Sequence, residues 1–197
     1  MKARLVIFLS TIAVGLGIYL LVAAVLKDKF VPQEFLEARA RGAELAQNIV
    51  LLSRESLKNL GQISKYDLEG NVTGALDLIS IEINKNQEIR REAIKLSSQL
   101  EKMARAIGAI KPEGARILAT EAVSSEVALV SRLIVYNDFF LQLFGTLETK
   151  FQGEEPNPTN RVQQLINNIN DEAKAINQFN KRFSESLAEF DKIFVPE

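Results

Sequence analysis

The chain has 197 residues, of which 24 are basic and 25 acidic, and it contains no histidine, cysteine or tryptophan. This composition excludes disulfides, thiolate metal sites and histidine-based catalysis, and the near-neutral charge offers no basic surface for nucleic acid. The length suffices for one domain with a substantial core.

The first predicted element is an apolar run over residues 5–26 that contains no charged side chain. As a helix it would be about 33 Å long, which is enough to cross a bilayer once. We expect residues 1–29 to form a transmembrane anchor that contacts membrane lipid through residues 5–26. The alternative is a cleaved signal peptide ending near Ala24, but apolar regions of signal peptides usually run about 7–15 residues.

The charges beside the apolar run bear on its orientation. Lys2 and Arg4 precede it, and further cations follow it, so the count of basic residues on the two sides is not decisive. A short leader with two cations is typical of a signal-anchor that keeps its N-terminus inside. We therefore expect a single-pass membrane protein whose second region, the domain over residues 30–197, lies outside the cytoplasm.

Beyond the anchor, three groups of turn-forming residues divide the chain into four segments. Comparable segment lengths and short loops predict an all-α fold, an N-terminal transmembrane helix followed by an antiparallel up-down-up-down four-helix bundle. Asn71, within the first turn, is expected to cap the second helix rather than to carry a glycan. The predicted helices cover residues 33–65, 72–108, 113–152 and 160–194.

Apolar residues in these segments recur at the alternating steps of three and four that define a coiled-coil seam. The first seam is the weakest, and the third segment carries two adjacent stripes, which predicts a helix with more than one partner. The first seam comprises Leu36, Ala43, Val50 and Leu57, and the second Ile89, Ala93, Leu96, Leu100, Met103, Ile107 and Ile110.

Folding the fourth helix back on the third predicts which positions meet. Counting equal numbers of residues outward from the loop on both helices, which we call the fold-back arithmetic, sets Phe183 beside Ala128, Phe190 beside Ala122 and Phe194 beside Ile117. Large side chains would then fill hollows left by small ones, so we interpret the phenylalanines as core; a lipid or small-molecule pocket is the alternative.

Three asparagines interrupt the seams: Asn86, Asn137 and Asn180. A single asparagine in a seam usually fixes the register of packing at some cost in stability. We expect all three in the core, with Asn180 near Ser131 and Asn86 near Tyr136. A polar pocket open to a ligand is the alternative.

The sequence offers no catalytic, cofactor or metal site. A di-iron bundle needs histidine, and the acidic turn at Asp67 and Glu69 lacks the twelfth-position glutamate of an EF-hand loop. Other acids, among them Glu121 and Glu126, are expected on a solvated surface. We therefore expect a protein that is not an enzyme.

The loops farthest from the anchor carry four acidic residues, which form a possible interaction tip: Asp67, Glu69, Glu154 and Glu155. The leading hypothesis is a membrane-anchored helical-bundle interaction or scaffolding protein that meets a protein partner. The alternative is a single-span ligand-sensing bundle that acts through a partner membrane protein. The oligomeric state is left open.

Overall fold

The structure is a computed structural model that describes residues 29–154 and 158–194. Every long element in these ranges is a helix, which confirms the predicted all-α class. We number the helices α1 to α4, and a short 3-10 turn, Ile107–Ala109, follows the second. Their bounds are Gln33–Glu69, Val72–Ala106, Glu113–Phe151 and Thr159–Phe194.

The turn between α1 and α2 is fixed by local chemistry. Gly70 adopts a left-handed conformation with φ of 70°, and the Asn71 amide donates to the Tyr66 carbonyl at 2.9 Å, which closes the last turn of α1. The Asn71 side chain accepts a hydrogen bond from the Gly74 amide at 3.0 Å, as the predicted cap requires. The helix ends at Glu69 rather than at residue 65, because Gly70 is the first residue to leave helical geometry.

Consecutive helices pack side by side and run antiparallel. Asn59 on α1 reaches Glu82 on α2 at 2.6 Å, and Arg132 on α3 reaches Glu172 on α4 at 3.3 Å. The extended backbone contact that joins each consecutive pair is missing between α1 and α4. The bundle is therefore open along one side.

Contacts at one end hold α1 and α4 together. The rings of Phe35 and Phe190 lie 5.6 Å apart, and Arg39 donates to both oxygens of Asp191 at 2.6 and 2.7 Å. These hydrogen bonds hold the pKa of Asp191 below its usual value. At the same end, Phe30 and Lys111 exchange two backbone hydrogen bonds of 3.0 and 2.9 Å, which fix the chain entering α1 to the α2–α3 loop.

The predicted seam of α1 is wrong by one position. Leu36, Val50 and Leu57 are 41 %, 48 % and 51 % exposed, whereas their neighbours Phe35 and Ile49 are buried. One residue corresponds to about 100° around a helix, so the two stripes are adjacent. The stripe of Phe35 and Ile49 takes the interior, where the Phe35 ring packs against Phe190. In α2, by contrast, the predicted seam from Ile89 to Met103 is buried as expected.

The pairing of α3 and α4 differs from the fold-back arithmetic by about one helical turn. Arg182 and Glu185 share a cleft with Glu121 and Ser125, so Phe183 meets α3 before Ala128. The arithmetic assumes that the chain turns at the middle of the loop, but a displacement of the same sense is already present beside the loop, where Arg161 on α4 donates to Gln142 on α3 at 2.7 Å. Of the three phenylalanines, Phe190 is buried, whereas Phe183 and Phe194 are half-buried.

One described helix, α3, is long and apolar enough to cross a membrane. Part of its apolar surface is buried within the bundle, because α3 packs against both α2 and α4, so we treat it as a bundle helix. The anchor predicted over residues 5–26 lies outside the described residues. The candidate span found in the structure is thus not the N-terminal one.

Candidate functional site

The candidate site is a groove along the open side of the bundle, which we call the α1–α4 groove. It has a volume of about 280 Å³, and side chains from all four helices line it. Two of its walls are the separated faces of α1 and α4, and α2 and α3 supply its floor. Its apolar lining comprises Ala46, Ile49, Val50, Leu57, Leu96, Leu129, Leu133, Ala173 and Ile176.

The apolar walls exist because each outer helix carries more apolar surface than its partner covers. On α1 they include Val50 and Leu57, which belong to the stripe that the heptad spacing predicts to be core. On α4, Ile176 follows the buried Ile169 by steps of four and three through Ala173, but it is only half-buried. The groove is therefore the place where a fully closed bundle would have its interior.

Glu126 is the only acidic residue lining the groove. It is 5 % exposed, and its Oε2 is buried without a hydrogen-bond partner. Burial raises its pKa to about 7, because a desolvated carboxylate is unfavourable. The prediction that Glu126 lies on a solvated surface is wrong. Its burial could be predicted from the sequence, since Glu126 is spaced from Val123, Val130 and Leu133 at the steps of three and four that define a buried seam.

Other polar groups line the same groove. The Ser53 hydroxyl is buried without a hydrogen-bond partner, and Arg54 lies exposed at the rim on the same helix. Burial also raises the pKa of Tyr136 on α3. The groove thus combines apolar walls with hydrogen-bonding groups whose capacity is unused, which is the usual composition of a binding pocket.

Asn180 lies in this groove and not in the core. Its side chain is exposed, and it lines the same space as Glu126 and Leu129. The predicted interior contact with Ser131 is absent, since the Ser131 hydroxyl is exposed and donates to the Val127 carbonyl at 3.0 Å. Asn180 is displaced from the interior because α4 has no α1 packed against it at this level.

The other two seam asparagines are buried. Asn86 donates to the Glu82 carbonyl at 2.8 Å instead of reaching Tyr136, and the Asn137 amide nitrogen has no partner. Asn86 therefore hydrogen-bonds within its own helix rather than across the bundle.

A second acid, Glu82, is also buried, which the sequence analysis does not predict. It is fully buried and accepts hydrogen bonds from Lys85 at 2.7 Å and Asn59 at 2.6 Å. Lys85 also lies 3.3 Å from Glu55. The Oε2 of Glu82 is buried without a hydrogen-bond partner, as that of Glu126 is, but Glu82 has a cation within the bundle and Glu126 has none among the described residues. Extending the α2 seam backwards from Ile89 at steps of three and four reaches Glu82.

The predicted acidic tip is partly neutralised by neighbouring cations. Asp67 pairs with Lys150, and Glu69 lies 3.7 Å from Lys65. Glu154 is exposed, and Glu155 lies outside the described residues. The tip as a partner surface stays a prediction. Residues 29–154 and 158–194 contain no group of three or more metal-ligating side chains that could hold an ion.

Compared with known protein families, curated proteins and solved structures, the chain matches none of them. The functional argument therefore depends on the groove itself.

Proposed function

We propose that this protein is a membrane-anchored interaction module and that the α1–α4 groove receives an amphipathic helix of a partner protein. The observation that carries this proposal is the groove's apolar lining, which combines the exposed Val50 and Leu57 of α1 with the half-buried Ala173 and Ile176 of α4. An apolar groove between helices is a common receptor for the apolar face of another helix.

The size of the groove sets how the partner would engage it. An engineered cavity of about 150 Å³ is known to hold a benzene molecule. A volume of about 280 Å³ therefore accommodates roughly two side chains of that size, not a whole helix. The partner helix would lie across the opening and insert two apolar side chains, with the heptad-spaced Val50 and Leu57 contacting its flanks.

The anchor would place this groove clear of the bilayer. The chain enters α1 at the end of the bundle where Phe30 pairs with Lys111. Val50 lies 17 residues beyond Gln33, which is about 25 Å along the helix. If residues 5–26 span the membrane, a partner could reach the groove without contacting lipid headgroups.

The test is site-specific photocrosslinking in cells that express the protein naturally. A diazirine amino acid at Val50 or Asn177, one on each wall, should give an adduct of discrete mass, while the same residue at the exposed Ile94 on α2 should not. An Ala173→Trp substitution that fills the groove should abolish the adduct. Equal adducts from all three positions, or adducts insensitive to the filled groove, would contradict the proposal.

The anchor and its orientation need a separate test. A cysteine introduced at exposed Glu121 would be the only thiol in the chain. A membrane-impermeant maleimide should label it on intact cells if the bundle lies outside the cytoplasm. Protection on intact cells with labelling after lysis would place the bundle inside.

The second candidate function is the sensing of a small ligand through a partner membrane protein. A specific observation favours it, since Glu126 and Ser53 carry buried polar atoms without partners in a groove of small-ligand size. A small molecule that occupies the groove and abolishes the Val50 adduct would support this alternative.

A further inference from the structure

The apolar walls of the groove explain why a helix would dock there, but they do not explain the carboxyl group among them. Glu126 has one buried oxygen with no partner, although burying an unpaired polar atom is costly. Glu82, the other buried acid, also has a buried Oε2 without a partner, but its Oε1 is paired with the Lys85 ammonium and the Asn59 amide. The bundle therefore supplies a cation to one buried acid, whereas no described residue forms an ion pair with the other, which lines the groove.

We infer that Glu126 is the recognition residue for a cation and that the docked helix presents a lysine among its apolar side chains. This inference rests on the proposed function and deepens it by naming the chemistry of the partner. A lysine suits the geometry because its four-carbon stem can pack along Leu129 and Leu133 while its ammonium reaches the floor of the groove.

The charged groups around Glu126 are compatible with this assignment. From α1, Arg54 lies exposed at the rim, and it makes no ion pair with any described residue. From α3, Tyr136 is the other titratable residue in the lining. The lining residues of α2 and α4 do not titrate. The Ser53 hydroxyl supplies a second acceptor for the ammonium hydrogens.

The pH dependence follows from the ionisation of Glu126. Its raised pKa of about 7 means that the carboxylate form is in the minority at pH 6 and in the majority at pH 8. An ammonium ion binds the carboxylate more tightly than the neutral acid, so affinity should rise across this interval.

Butylammonium, which is the lysine side chain without its backbone, is the probe. We would titrate it into the full chain in lipid nanodiscs and follow the methyl signals of Ile49, Leu57 and Ile176 by NMR. Butanol and butyrate are shape-matched neutral and anionic controls. At pH 8, butylammonium should bind about tenfold more tightly than butanol, which is a modest effect for a charge-assisted hydrogen bond.

Two variants assign the effect to a residue. Glu126→Gln should remove the preference for butylammonium and its pH dependence, and Glu121→Gln, an exposed control on the same helix, should keep both. Equal binding of butylammonium and butanol to the unmodified chain would overturn this inference, but it would not contradict the proposal that the apolar groove binds a partner helix. Tightest binding of butyrate would assign recognition to Arg54 instead. If no probe perturbs the groove methyls, the inference fails, and photocrosslinking decides the proposed function independently.

Discussion

At the scale of single residues, the buried carboxyl of Glu126 makes stability depend on pH. Burial raises its pKa from 4.5 to about 7, so the folded state holds a proton that the unfolded state loses. The free energy of unfolding should therefore fall as the pH rises from about 4.5 to 7 and level off above that. The fall contributed by this group is at most about 3 kcal/mol.

Glu126→Gln should remove this fall, because glutamine has no ionised form. Urea denaturation at pH 5 and pH 8 measures it: the variant should gain stability over the unmodified chain at pH 8 and little at pH 5. The exposed Glu121→Gln is the matched control and should change neither value by more than about 0.5 kcal/mol. An equal effect of Glu126→Gln at both pH values would show that the carboxyl group is solvated.

For Glu82, which is paired with Lys85, we expect stability to depend on the cation. Lys85→Met should cost about 3 kcal/mol, because it leaves the fully buried Glu82 without its cation. Adding Glu82→Gln should recover much of that loss. Lys95→Met breaks a comparable pair with Glu92 on the surface of the same helix and should cost under about 1 kcal/mol. Chemical denaturation of the four variants checks this, and similar losses for Lys85 and Lys95 would contradict it.

The burial of both acids could be predicted from the sequence. Glu126 and Glu82 each fall in phase with a clear apolar seam, but charge normally indicates surface, and that general preference outweighed the spacing. What no pattern supplies is the pairing, since whether an acid has a partner depends on residues from other helices. Lys85 and Asn59 hydrogen-bond Glu82 Oε1, whereas no described residue forms an ion pair with Glu126.

At the scale of the helix, α1 shows which of two adjacent stripes is the core. Phe35→Ala should cost about 3–5 kcal/mol, because Phe35 is buried against Phe190. Leu36→Ala, one residue later, should cost under about 1 kcal/mol, because that side chain is 41 % exposed. Thermal or urea denaturation compares them. If Leu36→Ala proved the more damaging change, the predicted seam would be right and the structure wrong for α1.

The α1–α2 turn gives a smaller and local prediction. Asn71→Ala should destabilise the protein by about 1 kcal/mol, because the Gly74 amide loses its acceptor. Asn71→Asp keeps an acceptor at the same place and should cost much less. A loss of similar size in both variants, measured by urea denaturation, would indicate that the side chain acts through something other than the cap.

Sequence patterns located the elements well. The predicted starts of α2 and α3 agree with the structure, and the starts at residues 33 and 113 follow prolines that fix the entry to a helix. The α1 seam was misassigned because two stripes one residue apart both satisfy heptad spacing. Choosing between them requires knowing that Phe35 has Phe190 to pack against, and that contact spans almost the whole chain.

At the scale of the molecule, closure of the bundle could not be predicted. Heptad spacing states that a helix has an apolar face but not how far away the opposing face lies. Each consecutive pair is held by a short loop, whereas α1 and α4 are joined by none and meet at one end through Phe35, Arg39 and their partners on α4. The groove, and the exposure of Asn180 within it, exist because α1 and α4 contact each other at one end only.

The most direct test of the open groove is thiol labelling of the purified full chain, which has no native cysteine. Single variants Val50→Cys and Asn177→Cys place a thiol on each wall, and Ser56→Cys and Ile169→Cys place matched thiols in the buried faces of the same helices, outside the groove lining. We predict that the wall positions react with maleimide at least about a hundredfold faster than the buried ones, whose labelling requires local unfolding. Equal protection of all four would mean that α1 and α4 close on each other and that the groove does not exist.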